Sequence, residues 1–414
     1  MTPQLSSTES ADIGLVTLDE LDVENQRVLL RADLNVPLEH ESAGVASKVG
    51  DDTRIRAALE TIDELRRREA RVVLVSHLGR PVDRDPRLSM RPVADRLAEL
   101  TGVPVKLAPA VVGAEVRQLT EELASGQILM LENVRYEPGE THNDPALASA
   151  LAELADVYVN DAFGTAHRAH ASTEGIAHRL PSAAGRLMER EVRVLTAIVE
   201  DPTRPLLAIL GGAKVSDKIG VIERFLQIAD VVCIGGAMCF PFLAAQHHTV
   251  GASLCDKADI EVAWRTLGTA ADSHCRLELP LDLVIAERAE YGAAQQTLEG
   301  VDVPDGWIGL DIGPRTAAAY ATEVAAAGTT FWNGPMGRVE LEPFAAGTRA
   351  VADMLATVNT TTVVGGGETV AAVRSFGLQD MMTHISTGGG ATLELLEGRR
   401  LPGVQALLRT ADVR

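Results

Sequence analysis

The chain has 414 residues, a net charge of −20, 46% hydrophobic residues and 23% charged residues. Its length suits two or three domains of an ordinary globular protein. A chain this acidic, with no basic run beyond Arg66-Arg67-Arg68, is not built to hold nucleic acid, and it has no run of about 18 apolar residues to cross a membrane.

Met1 to Asp12 is rich in Ser and Thr and reads as a mobile extension. Short β-rich apolar runs then alternate with helical patterns. The runs are 28–30, 72–75, 128–131 and 157–159, then 206–210, 231–234, 283–285, 329–332 and 362–364. Strands alternating with amphipathic helices predict parallel sheets in an α/β fold. The middle of Leu180 to Pro202 predicts a connecting helix, and the second half of the chain ends in a helix predicted over Leu393 to Glu397. The cysteines, Cys233, Cys239, Cys255 and Cys275, show no C-x-x-C pair and no metal spacing. With no apolar signal segment ahead of them, they read as reduced thiols in a cytoplasmic protein.

Ligands in open α/β sheets bind beyond the carboxyl ends of the strands, and those ends differ between the two halves. The first half carries Arg31, Asp33, Asn35, His77, Arg80, Arg135, Asn160, Asp161, His167, Arg168 and His170. Arg54 and Arg56 stand at a helix start that Asp52 or Thr53 can cap. Arginine forks at successive strand ends suit a small, multiply charged anion, because each fork binds carboxylate or phosphate bidentately. The second half carries Gly211-Gly212, Gly235-Gly236, Asn333-Gly334-Pro335, Gly365-Gly366-Gly367 and Gly388-Gly389-Gly390. Glycine turns can aim N–H groups at phosphates. Two chemically different half-sites imply two domains, each holding one reactant.

Of 38 Lys and Arg only five are Lys, and two of these, Lys214 and Lys218, follow the Gly211-Gly212 turn. An ammonium is a compact point charge on a flexible stem, suited to following a moving phosphoryl group. At helical spacing the two would share one face. The chain has no G-x-x-x-x-G-K-[ST], G-x-S-x-G or H-E-x-x-H, so no P-loop, nucleophile elbow or zinc-protease helix is expected.

From about Leu18 to Leu407 the chain resembles the phosphoglycerate kinases. The resemblance rests on Arg31-Ala32-Asp33-Leu34-Asn35-Val36-Pro37, Ser76-His77-Leu78-Gly79-Arg80-Pro81, Asn160 to His170, Gly211 to Lys218, Trp332-Asn333-Gly334-Pro335 and Ser386 to Ala391. It implies two Rossmann-like domains with parallel sheets joined by a helical hinge. The expected division is 1–186 for phosphoglycerate, 187–203 for the hinge helix and 204–398 for the nucleotide, with 399–414 packing back on the first domain. It implies a monomeric cytoplasmic enzyme of glycolysis and gluconeogenesis. The reaction is reversible phosphoryl transfer from 1,3-bisphosphoglycerate to ADP, giving 3-phosphoglycerate and ATP, with Mg²⁺ on the nucleotide.

Carried over by motif, the resemblance gives phosphoglycerate to Asp33, Asn35, Arg54, His77, Arg80, Arg135, His167 and Arg168. It gives the nucleotide to Lys218, Gly235, Gly236, Gly309, Asn333, Glu340, Gly366, Gly367, Glu368 and Thr369, with Glu340 at the ribose and Glu368 at the metal. Arg54, Lys214, Gly389 and Gly390 are the implied catalytic positions. The acceptor is a carboxylate, ionised at neutral pH, so the reaction needs positioning and positive charge and no general base. Domains closing over the reactants would exclude the water that hydrolyses acyl phosphates.

The chain departs from the family pattern at three places. Glu368 replaces the usual Asp, Arg338-Val339 replaces an apolar pair ending in Phe, and Pro241 replaces a commoner Thr. Two other readings of the same fold remain. One is a kinase of another acyl phosphate, against which the full arginine set argues. The other is a silent relative, against which Arg54, Lys214 and the triple glycine argue.

Overall fold

The structure is a computed structural model that describes residues 13–39 and 48–409. The extension expected over Met1 to Asp12 lies outside the described residues. The chain forms two compact units. One runs to Arg193 and resumes at Arg400; the other is Val194–Arg399.

In the first unit β1 (Arg27–Arg31) precedes β2 (Leu38–Glu39) and β3 (Lys48–Val49), which pair antiparallel. Then come α1 (Thr53–Arg67), β4 (Arg71–Val75), α2 (Arg91–Thr101), β5 (Val105–Leu107) and α3 (Ala114–Glu121). After them lie β6 (Ile128–Met130), α4 (Pro145–Ala152), β7 (Val157–Asn160) and β8 (Ser182–Ala184). Six of these strands form a parallel sheet in the order β5-β6-β4-β1-β7-β8. A parallel sheet is covered on both faces, which is why its strands are continuous apolar runs. Ile55, Ala58, Ile62 and Leu65 form the inner stripe of α1 and pack on Val28, Leu30, Val72 and Leu74. Burying each Leu, Ile or Val contributes about 1.5–3 kcal/mol.

The predicted connecting helix is α5 (Arg186–Glu200), and it begins in the first unit. Its first turn is tied there by Asp161, whose Oδ1 accepts from the N–H groups of Leu187 at 2.9 Å and Met188 at 3.1 Å. The Arg186 N–H donates to Thr61 Oγ1 at 2.9 Å, and the Arg186 guanidinium pairs with Glu64 at 2.8 Å. The expected cap of α1 is absent. Asp52 stands at the N-cap without capping, because its carboxylate is taken by Arg56 at 2.8 Å and Arg96 at 2.6 Å.

The second unit contains β9 (Leu206–Leu210), α6 (Ile219–Ile228), β10 (Val231–Ile234), α7 (Cys239–Ala245), α8 (Lys257–Ala271) and β11 (Arg276–Glu278). It continues with β12 (Leu283–Ala286), β13 (Gln295–Thr297), β14 (Ile308–Ile312), α9 (Pro314–Ala326) and β15 (Thr329–Asn333). It closes with α10 (Ala346–Leu355), β16 (Thr361–Gly365), α11 (Gly367–Ser375), β17 (His384–Ile385) and α12 (Gly390–Leu396). The main sheet is parallel, in the order β11-β10-β9-β15-β16-β17.

One strand departs from the expectation. The run at 283–285 is antiparallel and belongs to a separate three-stranded sheet, β13-β12-β14. A short apolar run carries no record of the direction in which it pairs. The helix predicted over Leu393 to Glu397 also differs, starting at Gly390 and ending at Leu396.

The chain returns to the first unit through α13 (Pro402–Gln405). There Val16 N–H donates to the Leu407 carbonyl at 2.9 Å, and Arg409 N–H to that of Gly14 at 2.7 Å.

Candidate functional site

In the first unit the parallel register brings the strand ends to one edge. Arg31, the last residue of β1, pairs with Val75 on β4 and with Asn160 on β7. Asp33 and Asn35 follow Arg31, His77 follows β4, and Arg135 sits in a turn after β6. Hydrogen bonds fix these segments to one another. Leu34 N–H donates to Ser76 Oγ at 2.9 Å, and Gly79 N–H to Asn35 Oδ1 at 2.8 Å. Arg135 Nη1 donates to the Gly79 carbonyl at 2.5 Å. From α1, Arg54 Nη1 reaches both carboxylate oxygens of Asp33 at 2.9 Å. Arg56 points away, to Asp52.

Arg80, Arg135, Arg168 and His170 line one open cavity of about 740 Å³. His167 stands beside it, its Nε2 accepting from Arg168 Nε at 3.1 Å. His77 is buried, and its Nδ1 lies 3.1 Å from Arg31 Nη2. A guanidinium can only donate, so His77 accepts at Nδ1 and carries its proton on Nε2. Burial, then the charges of Arg31, Arg135, Arg54 and His170, hold its pKa well below the usual 6.5. Burial also lowers that of Arg135, with Arg168 and Arg31 adding to it.

This unit brings to the cluster side chains that the motifs did not assign. Arg31 is 1% exposed and donates through Nε to Ser172 Oγ at 2.9 Å and through Nη1 to the Ala32 carbonyl. Glu140, also 1% exposed, accepts from Ser172 Oγ at 2.6 Å and Ser172 N–H at 3.0 Å, and lies 3.6 Å from His170 Nδ1. Burial alone would raise the Glu140 pKa, but the His170 hydrogen bond, the Arg31 charge and Ser172 bring it below the usual value. A buried cation needs such an anion close by. Arg31 was visible as a strand-end arginine; nothing local marks Glu140, which lies far from it along the chain.

In the second unit the same logic operates. Leu210, Ile234, Asn333 and Gly365 end four neighbouring strands in register. The four glycines after β9 and β10 do not aim their N–H groups at a ligand. Gly211, Gly212, Gly235 and Gly236 donate to the carbonyls of Asn333, Pro335, Leu210 and Met336. They are glycines because backbones meet there. A Cβ on Gly236, where φ is +66°, would collide with Gly212 and Pro335.

Lys214 and Lys218 do not share a helical face, because α6 begins only at Ile219. Lys214 is exposed. Lys218 turns inward, and Nζ donates to the Gly211 carbonyl at 2.7 Å, the Asn333 carbonyl at 2.9 Å and Asn333 Oδ1 at 2.6 Å. Burial lowers its pKa to about 8, against the opposing charges of Glu368 and Asp217. Asn333 is buried, and so is Thr369, whose Oγ1 accepts from Gly334 N–H at 2.7 Å.

A cavity of about 400 Å³ opens among these loops, within the range of small-molecule sites. Its apolar wall includes Phe240, Ile308 and Leu310. Gly236, Gly309, Arg338, Glu340 and Glu368 also line it. Gly309 lies beneath the Phe240 ring, where a side chain would not fit. Arg338 Nε holds Glu340 Oε1 at 2.9 Å. Gly366, with φ at +88°, precedes α11; Gly367 and Glu368 form its first turn. Gly389, with φ at +54°, and Gly390 open α12. Among the described residues no three His, Cys, Asp or Glu side chains gather to hold a metal. Glu368 is an exposed acid on the cavity wall, and one carboxylate suffices for an Mg²⁺ that arrives on phosphates.

A family model described as Phosphoglycerate kinase matches residues 18–399. A phosphoglycerate kinase of Rubrobacter xylanophilus is 53% identical over 395 residues, covering 95% of this chain and 98% of its own. The cytosolic phosphoglycerate kinase of Triticum aestivum is 49% identical over 395 residues, covering 94% and 97%. The structure of phosphoglycerate kinase from Coxiella burnetii matches with a TM-score of 0.85 at 39% identity, over 95% of this chain and 98% of that one.

Proposed function

Because the chain belongs to the phosphoglycerate kinase family, we propose that its two units divide the reactants of that family's reaction, with phosphoglycerate on the first and the adenine nucleotide on the second. The enzyme is a phosphotransferase that moves a phosphoryl group between 1,3-bisphosphoglycerate and ADP. One observation carries the assignment of the first unit. Arg80, Arg135, Arg168 and a neutral His77 belong to segments that follow strands of one parallel sheet, and Arg54 of α1 joins them through Asp33. That is a site for a phosphate and a carboxylate on a short carbon chain.

On the second unit the apolar wall at Phe240 and Leu310 suits a nucleobase, and Glu340 suits the ribose hydroxyls. Lys218, Asn333 and Thr369 hold the loops around the phosphates, and Glu368 takes the Mg²⁺ carried by the nucleotide. Arg54 and Lys214 supply charge to the transferring phosphoryl, with the Gly388-Gly389-Gly390 loop beside it. Transfer is in line. Closure of the units is part of the proposal on chemical grounds, since the reactants must meet and water must be kept from an acyl phosphate.

No described helix is long and apolar enough to cross a membrane. The proposal extends to a cytoplasmic monomer working in glycolysis and gluconeogenesis, in keeping with four free cysteines. A coupled assay with 3-phosphoglycerate and Mg-ATP tests it. Turnover that requires both supports the reading; turnover only with a different carboxylate overturns it.

A further inference from the structure

Asp311 lies on β14, two residues from Gly309, and is 3% exposed. It belongs to the wall of the nucleotide cavity, yet its carboxylate turns into the protein. Oδ1 accepts from the Ile312 N–H at 2.9 Å and Oδ2 from the Gly347 N–H at 2.8 Å. Gly347 is in the first turn of α10, whose own N-cap, Ala345, has no side-chain acceptor. The carboxylate of a neighbouring strand therefore caps this helix, where its charge also meets the positive end of the helix dipole. The loop bearing Arg338 and Glu340 passes over the same group. A Cβ on Gly337 would collide with Asp311, and Arg338 N–H donates to the Leu310 carbonyl at 2.8 Å.

We propose that Asp311 is a positioning residue of the nucleotide site, whose ionised carboxylate holds the Glu340-bearing loop and the start of α10 against β14, so that Mg-ADP affinity follows its ionisation. The inference rests on the assignment of this cavity to the nucleotide.

Only the ionised form offers a strong, charged acceptor on both oxygens. Protonation turns one oxygen into a hydroxyl, a much weaker acceptor, and so weakens one of the two attachments. The neighbouring charges are committed elsewhere. Arg338 and Glu340 pair with each other, Arg349 of α10 lies 3.6 Å from Asp353, and Arg315 of α9 donates to the Glu299 carbonyl at 2.7 Å. Burial pushes the Asp311 carboxyl up to about 7, against the N–H groups of Gly347, Ile312 and Ala346. Its ionisation therefore changes across the neutral range.

The test is calorimetric titration of wild type, Asp311→Asn and Gly337→Ala with Mg-ADP from about pH 6 to about pH 8.5, with 3-phosphoglycerate as the control ligand. Comparing the proteins at each pH cancels the titration of the nucleotide. The expected loss in Asp311→Asn is about tenfold at the alkaline end, the worth of one hydrogen bond to a charged group, shrinking to about twofold at the acid end. Gly337→Ala, which pushes the loop off the carboxylate, is expected to weaken Mg-ADP and leave 3-phosphoglycerate unchanged. A wild-type to Asp311→Asn ratio that stays constant with pH, or wild-type Mg-ADP affinity in Gly337→Ala, overturns the inference alone. Wild-type Mg-ADP affinity in both Lys218→Ala and Glu340→Gln overturns the cavity's assignment, and the inference with it.

Discussion

His77 receives a hydrogen bond from Arg31 at 3.1 Å, and both side chains are buried. The ring is thereby neutral, with its proton on Nε2, which in the proposed site is the donor for phosphoglycerate. Its folded pKa lies well below the unfolded value near 6.5. Below that value the unfolded chain binds the extra proton, so stability is present at neutral pH and lost as the pH falls. Wild type is expected to lose stability relative to His77→Gln between about pH 7 and pH 5. Denaturant unfolding at each pH measures this, and parallel profiles would mean that His77 protonates freely in the folded protein.

Glu140 is the anion that keeps Arg31 acceptable in the interior. Glu140→Gln keeps the shape and removes the charge. Because hydrogen bonds to charged groups contribute about 1.5–3 kcal/mol, a loss of that order is expected. Weaker 3-phosphoglycerate binding should accompany it, since Arg31 would no longer be fixed beside His77. The folded carboxyl has a lowered pKa, so the Glu140 contribution is present above about pH 4.5 and disappears as the pH falls through the folded value. An unchanged melting temperature and unchanged binding at neutral pH would remove Glu140 from the site.

Arg54 sits on Asp33 with its side chain 40% exposed, held in place yet open to a ligand. Its charge is most useful where charge moves, so Arg54→Ala should lower kcat by about 100-fold or more and raise the KM for 3-phosphoglycerate far less. Steady-state kinetics decide between the roles. An effect confined to KM would make Arg54 a simple binding residue.

The two lysines should separate. Lys218→Ala takes the ammonium donor from the Gly211 carbonyl and the Asn333 side chain and leaves the Asn333 carbonyl only the Gly211 N–H, so Mg-ADP affinity and thermal stability should both fall. Lys214→Ala should leave both near wild type while turnover falls about 100-fold. There is also a pH signature. Lys218 has a folded pKa of about 8, below its ordinary 10.5. Between these values the unfolded state holds more protons, so wild type should gain stability relative to Lys218→Met as the pH rises from about 8 to about 10.5. Equal loss of Mg-ADP affinity in the two alanine variants would end the distinction.

What the sequence revealed follows from what a sequence encodes locally. Buried parallel strands are short apolar runs, and β1, β4, β6, β7, β9, β10, β15 and β16 stood out for that reason. The residues just after them were legible as a cluster because parallel pairing puts all such ends on one edge. Pairing direction is not local, which is why β12 was expected in the wrong sheet; the polar, exposed β13 gave no signal. Lys214 and Lys218 fit helical spacing, but the turn after Gly212 delays the helix until Ile219. The buried partners were the least legible. Glu140 and Asp311 act through groups distant in sequence, and an isolated acid carries no sign that it will be buried.

Glu368 is one of the departures from the family pattern, and it lies on the wall of the proposed nucleotide cavity. It is an exposed acid in the first turn of α11 on the cavity wall, close enough for its charge to act on Lys218. Its stem is one methylene longer than that of the usual Asp. Mg²⁺ requires near-ideal octahedral geometry at about 2.0–2.1 Å and keeps several waters, so under the proposed metal role the longer side chain would act through a bent rotamer or an intervening water. Glu368→Asp is therefore expected to keep its activity and to change the relative response to Mg²⁺ and Mn²⁺, since only the reach is altered. Glu368→Gln keeps the length and loses the charge, and most of the metal-dependent rate should go with it. Titrating activity against each metal for both variants separates reach from charge. Wild-type turnover and metal dependence in Glu368→Gln would show that the carboxylate has no part in holding the ion, and that its position at the start of α11 serves the helix alone.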